Sequence, residues 1–456
     1  MNDAAASCVV RKNFDKEEYG VIFPVLNHRM LSSKKVLGRK TMLKSIIRKE
    51  VLINLFSYKC SIIIILSTIL VFASIFVMYR DYCLALENYK ILQPKSNEAI
   101  AIIPPTPLSI FAKGLDENLC RSYEVVSAGQ IRMGSKQQSV NNLFRLFTTP
   151  DLLYIVKVIM SLCAMLFAFD IVSGEKEVGT LRLSLSNNMK RPVLIVGKWI
   201  GGFTSFILPF FIAVLFGSIF VTLSPIVDMS PYNLLKLGLF VLNSVIYLAI
   251  FFSLGLLISC LTHQSSSSLV ISLFVWAMLV FLIPNLGNIL ARQLVEIPTV
   301  QQLEDKRSQI WIRETVELGK GIIDFKTRQE RINSQNDKLI ADYRNRFDRL
   351  VRLSQNITRF SPAATYTYLT TNLMGTGILD EHRLKRAVLQ YKDLIRDNSS
   401  DSDGNLVGNF TPFSFQRSSI KEILSVGGLS NLAILIFFDI LFFVSAYAAF
   451  LRYDVR

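Results

Sequence analysis

The stretch Phe169–Trp199, FDIVSGEKEVGTLRLSLSNNMKRPVLIVGKW, joins two long apolar runs, and it is too charged and too regular to be a mere connector. Its flanks decide the fold. A hydrocarbon core of roughly 30 Å is crossed by about 20 apolar residues in a helix. Runs of that length recur along the chain and place six spans at 61–80, 151–172, 193–222, 233–261, 268–290 and 431–451. Composition agrees: 51% of the 456 residues are hydrophobic, well away from an ordinary soluble domain. The fold class expected is an all-α membrane protein of six transmembrane helices. An N-terminal amphipathic interface helix and a large, mainly helical extracytoplasmic insertion between spans five and six complete it.

Orientation follows from Lys and Arg in short flanks, which resist transfer across the membrane. Residues 1–60 carry 12 Lys and Arg against 5 Asp and Glu, the 173–192 loop carries Lys176, Arg182, Lys190 and Arg191, and the 452–456 tail adds Arg452 and Arg456. With six spans these three segments share one side, so both termini are expected in the cytoplasm. The 81–150 and 291–428 segments then lie outside; both are too long for the charge rule to govern them. No cleavable signal peptide is visible, because mostly polar residues precede the first span, which serves as its own insertion signal. AlaAlaSerCys at 5–8 lacks the apolar region that a lipoprotein signal needs. Met42 opens MLKSIIRKEV, a natural start, so residues 1–41 read either as an extension or as a start-site artefact.

Within residues 44–56, Ile46, Ile47, Val51, Leu52 and Leu55 fall on one helical stripe, as in a helix lying in the membrane interface or in an extension of the first span. Between 300 and 355, Ile332, Leu339, Tyr343, Phe347 and Leu350 recur near heptad spacing, which predicts a helical hairpin or short coiled coil. It would serve as a stalk for a partner or as a cover over the spans. ProAlaAla at 362–364, GlyThrGly at 375–377 and AsnSerSerAspSerAspGlyAsn at 398–405 read as turns and a loop. Sequons at Asn356, Asn398 and Asn409 all fall in this outer segment.

Several chemistries are excluded. The net charge of +15 sits largely at the cytoplasmic face, where it meets anionic lipid headgroups, and no basic-aromatic module of a nucleic-acid binder occurs. His28, His263 and His382 lie in three different segments, which gives no metal site and no His-based catalysis. GlyArgLysThr at 38–41 lacks the Gly-Lys step of a phosphate-binding loop. Cys83 and Cys120 alone share the first outer segment, where a disulfide and two separate thiols are both open readings. Inside the spans Asp439, Lys157 and Asp170 stand out. Asp439 near the middle of the last span needs a protein partner, structural or for substrate and proton handling. Lys157 can snorkel, and Asp170 belongs with the loop.

SerGlyGluLysGluValGlyThrLeuArgLeuSerLeuSer at 173–186, followed by LysArgProValLeuIleValGlyLysTrp, resembles the cytoplasmic loop between the second and third spans of type-2 ABC transporter permeases. The resemblance extends to the six-span layout, to SerProAlaAla at 361–364 with GlyThrGly at 375–377, and to the terminal ArgTyrAspValArg, and so covers most of the chain from about residue 42. Asn188, Met189 and Lys190 depart from the family's usual Pro-Val-Ser, and the outer insertions are larger than in many members. The resemblance implies that Glu175, Lys176, Glu177, Gly179, Thr180, Leu181 and Arg182 form a coupling helix held by a cytoplasmic ABC ATPase. On the residues alone, Glu175, Glu177 and Arg182 are expected exposed, with Val178, Leu181, Leu183 and Leu185 available for packing. The chain itself is then no enzyme and holds no cofactor, ATP and Mg being bound by the partner. A second permease, identical or related, completes a dimer in a bacterial inner (plasma) membrane. Export is the direction the resemblance favours. The alternative is an ATPase-driven device that moves its outer domain against an extracytoplasmic protein without transport.

Overall fold

The computed structural model describes residues 42–91, 100–115, 122–126, 130–133, 150–186, 190–399 and 412–453. Among them are six helices long and apolar enough to cross a membrane: Tyr58–Ile91, Leu152–Val178, Arg191–Leu223, Pro231–Leu261, Ser265–Leu294 and Ile420–Arg452. Each coincides with one of the six expected spans to within a residue or extends beyond it, and they are called the first to sixth spans below. A further helix, α1, occupies residues 42–55 and is broken from the first span at residues 56–57. Chain direction gathers α1, the 173–186 segment, the turn after the fourth span and the end of the sixth at one end of the bundle, the loop end. The chain between the first and second spans, residues 92–151, and that between the fifth and sixth, residues 295–419, connect at the opposite, insertion end.

The fourth span is the hub. Of its most apolar window 78% is buried, against 17% for the fifth and sixth spans. Phe240, Tyr247, Phe251 and Phe252 are fully enclosed, as an axis surrounded by other helices requires. The second span approaches it so closely that a Cβ added at Gly255 would lie 2.9 Å from the Met165 carbonyl oxygen.

The residues expected as turns at 362–364 and 375–377 bound a helix instead. Ser361 caps it by accepting from the Ala363 and Ala364 amides, Pro362 occupies its first turn, and Gly375 at φ 73° ends it, giving Pro362–Met374. This helix packs on the fourth span. Tyr366 stacks on Tyr247 with centroids 4.3 Å apart and shares a 2.8 Å hydrogen bond with Ser244, while Asn243 Nδ2 donates to Thr370 Oγ1 at 2.8 Å. Proline and glycine marked its two boundaries correctly, and the apolar and threonine residues between them are what the bundle buries.

The insertion between the fifth and sixth spans also holds the helices Val300–Gly319, Phe325–Thr358 and Ile378–Ser399. The first two form a hairpin. Its seam is polar where the heptad reading expects an apolar one. Glu314 is buried and accepts from Gln335 Nε2 at 2.8 Å and Arg313 Nη2 at 3.1 Å, while Arg328 lies against the rings of Trp311 and Phe325. These donors hold the Glu314 carboxyl below the ordinary glutamate range, the Gln335 hydrogen bond foremost. Of the five heptad residues only Ile332 is buried; Tyr343 and Phe347 turn toward the Ile378–Ser399 side.

One element departs from an all-α description. Between the first and second spans, β1 (Ile100–Ile102), β2 (Ser122–Val126) and β3 (Gln130–Met133) form an antiparallel sheet in the order β1-β2-β3, with Ile100 opposite Glu124 and Tyr123 opposite Met133. Ala101 and Ile103 close a small core with Leu384, Val388, Tyr391 and Ile395. The run of β-branched residues suits an extended chain, but it is too short to read as a strand without its partner.

Gly255→Val should push the second and fourth spans apart. We expect a loss of about 1–3 kcal/mol, read as a lower midpoint of thermal aggregation in detergent, while Gly238→Val, where an added Cβ meets nothing within 4 Å, leaves the midpoint in place.

Candidate functional site: the loop end

Ser173–Val178 prolongs the second span, and Thr180–Ser186 is a separate short helix. Gly179 joins them at φ 79°, a left-handed conformation that a side chain would strain, and its amide donates to the Lys176 carbonyl. The chain therefore ends one helix and turns the next aside within a single residue.

The three charged residues before the glycine hold three different parts of the bundle. Glu175 is turned inward and not exposed as expected: its Oε1 accepts from Lys198 Nζ at 2.6 Å. Lys198 sits in the first turns of the third span with its side chain 3% exposed, and Glu50 of α1 accepts from the same ammonium at 3.1 Å. One buried cation thus ties α1, the third span and the loop together. Lys176 Nζ donates to the carbonyls of Cys260 at 2.5 Å and Thr262 at 2.9 Å. These are acceptors left over at the end of the fourth span, where a cation also complements the helix dipole. Glu177 does the converse, accepting from the Ser265 amide at 3.1 Å at the start of the fifth span.

Neighbouring contacts extend the anchorage. Ser259 Oγ of the fourth span accepts from the amides of Val172 and Ser173 at 3.0 and 2.9 Å. Asp170 pairs with Lys59 at the start of the first span, and that ammonium lies 5.1 Å over the Phe169 ring. Arg191 Nη1 donates to the carbonyls of Leu451 and Tyr453 at the end of the sixth span, at 2.9 and 3.0 Å. All six spans are therefore held within a few residues of this loop.

Past Glu177 the surface changes character. Val178, Gly179, Thr180, Arg182 and Leu183 are exposed, with Val178 at 77% and Leu183 at 66%, while Leu181 is fully buried beneath them. Of the four apolar residues expected to pack, Leu181 does so fully, Leu185 partly, and Val178 and Leu183 face outward. The exposed face is thus an apolar pair, Val178 and Leu183, flanking Gly179 and Thr180.

The intramembrane polar residues lie elsewhere. Asp439 Oδ1 accepts from Ser253 Oγ at 2.9 Å, and Ser253 Oγ accepts from Trp199 Nε1 at 2.9 Å, a chain across the sixth, fourth and third spans. Lys157 lies in a wide turn of the second span, Ile155–Met160, its ammonium 5.6 Å over the Tyr154 ring. Cys83 is half-buried, and Cys120 falls outside the described residues, as do Asn188 and Met189 of the loop and the last three residues of the tail. No group of three His, Cys, Asp or Glu side chains gathers as a metal site among the described residues. Reading the sequence missed Glu50, Ser259, Ser265 and above all Lys198. Its signal was present, since a lysine opening a long apolar run must find an anion or reach water.

A bundle of six membrane-length helices whose ends meet at one charged loop turned at a glycine defines a polytopic, mainly helical membrane protein. The family model described as ABC-2 family transporter protein matches residues 45–455, and the chain belongs to that family. It is a multi-pass membrane protein and a permease of the ABC-2 type; such permeases associate with an ABC ATPase subunit. No curated protein matches the chain.

Replacing Lys198 by Met strands two carboxylates against a buried apolar surface. Breaking a buried pair costs about 3–5 kcal/mol, so K198M should lower the thermal midpoint markedly, and K198M combined with Glu50→Gln and Glu175→Gln should recover most of the loss.

Proposed function

We propose that this chain is the membrane subunit of an ATP-driven exporter in a bacterial inner membrane, with the loop end in the cytoplasm and the insertion end outside. Two copies, or one copy and a related permease, frame the path, and each is moved by a separate ATPase that binds ATP and Mg. The single observation that supports this reading is the division of labour in the loop. Glu175, Lys176 and Glu177 grip α1 and the third, fourth and fifth spans, while Val178, Thr180 and Leu183 lie exposed on the far side of the turn.

A partner that pulls on the exposed segment pulls on helix ends. The ion pairs and end-caps are short and the helices stiff, so displacement at Gly179 passes into the spans instead of being absorbed by a pliant loop. α1 supports a cytoplasmic interfacial placement, since its Leu52 and Ile53 are exposed apolar residues, as are Phe56 and Tyr58 just beyond it. Asp439 is read as a structural acceptor for Ser253, and no catalytic step is assigned to it.

The hairpin keeps a second reading in play. Phe325–Thr358 has 34 residues, about 50 Å of helix at 1.5 Å per residue. Such a lever suits a device that moves an outer protein instead of transporting a substrate. Transport of a small molecule or lipid in vesicles containing the permease and its ATPase distinguishes the two.

The ATPase contact is tested by Val178→Asp/Leu183→Asp. Burying two aliphatic side chains contributes about 1.5–3 kcal/mol each, so co-purification with the ATPase should weaken at least about tenfold while the thermal midpoint stays near wild type. Undiminished co-purification would remove the docking assignment.

A further inference from the structure

A cavity of about 710 Å³ opens at the insertion end, between the helices Phe325–Thr358 and Ile378–Ser399, and reaches Val426 and Asn431 of the sixth span. Tyr343, Phe347, Val351, Leu379 and Leu389 supply an apolar wall. Around it stand the exposed cations Arg344, Arg352, Lys385 and Arg386. Asp348 is the only carboxylate among the lining residues, and it faces His382 Nδ1 at 3.6 Å. Lys385 pairs with Glu381, whereas Arg344, Arg352 and Arg386 have no carboxylate in ion-pair range among the described residues.

Two buried polar atoms of the lining residues are left without a partner. Asn431 is only 4% exposed and its Oδ1 accepts nothing, and Arg359 Nε donates to nothing although its Nη1 reaches Asn356 Oδ1 at 3.0 Å. Orphaned buried acceptors and donors are uncommon in a finished structure, because each forfeits its hydration without return. The sixth span is also opened here: Val426 and Gly427 leave helical geometry, with Gly427 at φ 100°, and Arg359 Nη2 lies beside that glycine.

We propose that this cleft binds a membrane phospholipid with an anionic headgroup, the rim cations taking the headgroup and the wall taking the upper part of an acyl chain. A free inorganic anion would have no use for the aromatic and aliphatic wall, and a neutral hydrocarbon none for the unpaired arginines. The volume lies in the range of ligand sites and suits part of a lipid, the rest of which stays in the bilayer. The position at the start of the sixth span puts the mouth where a leaflet's headgroups end. The site depends on that span crossing the membrane and is independent of how the ATPase is coupled.

The test is native mass spectrometry of the full-length protein in neutral detergent, titrated with dioleoyl phosphatidylglycerol or dioleoyl phosphatidylcholine. The expected result is preferential retention of phosphatidylglycerol, competed by dodecyl phosphate and not by inorganic phosphate. With each basic residue worth roughly fivefold in anionic-lipid affinity, Arg344→Gln, Arg352→Gln and Arg386→Gln should each weaken phosphatidylglycerol by about that factor and leave phosphatidylcholine unchanged. Thermal midpoints of these single, exposed substitutions confirm that each variant is folded. Equal retention of the two lipids, unchanged affinity in all three variants, or full competition by inorganic phosphate would overturn the proposal. So would a dimer that closes the cleft with neither lipid bound.

Discussion

One ammonium group governs the loop end. Lys198 Nζ is almost wholly removed from water and is balanced by Glu50 and Glu175, which arrive from different parts of the chain. Away from water a charge is costly and its attraction to an opposite charge is correspondingly strong, so such a cluster tolerates few geometries. Apolar packing could let α1 slide along the third span or let the loop roll over the bundle. The ionic cluster fixes both at one register, and the capping contacts of Lys176 and Glu177 extend that fixity to the fourth and fifth spans.

The same constraint separates what moves together from what is free to engage other molecules. The fourth span is enclosed, while the fifth and sixth spans present apolar faces. Leu273, Phe274 and Phe281 on the fifth and Phe437, Ile440 and Val444 on the sixth are exposed, which in a membrane means lipid or another permease. At the insertion end the buried helix Pro362–Met374 ties the outer helices to the hub through Tyr366 and Thr370. The outer layer therefore cannot shift without disturbing the fourth span, which links the two ends of the molecule mechanically.

Much of this was legible in the sequence, because hydrocarbon thickness leaves little choice for an apolar run of about twenty residues. The six spans follow from that alone, and the charged loop stands out as a candidate site from its composition. The direction of its side chains is not legible there. Helical periodicity says which residues share a face, and it cannot say that a lysine 23 residues downstream will draw Glu175 inward or that Val178 and Leu183 will face out. Pro362 and Gly375 read as turn residues in the sequence because helix boundaries and turns use the same residues. The polar hairpin seam went unseen because the heptad residues serve a different neighbour.

The central claim is that the loop and the helix ends it grips move as one body when the ATPase works. Spin labels at Thr180→Cys and Gln264→Cys, in protein whose native cysteines are replaced, report the distance between the loop and the turn joining the fourth and fifth spans. Pulsed dipolar spectroscopy on the complete complex, with and without ATP, measures it. The account requires that distance to stay constant between the two states in otherwise native protein and to broaden when K198M is added. A distance that changes with ATP while Lys198 is intact would mean that the segment swings on Gly179 independently of the spans, and would contradict the account.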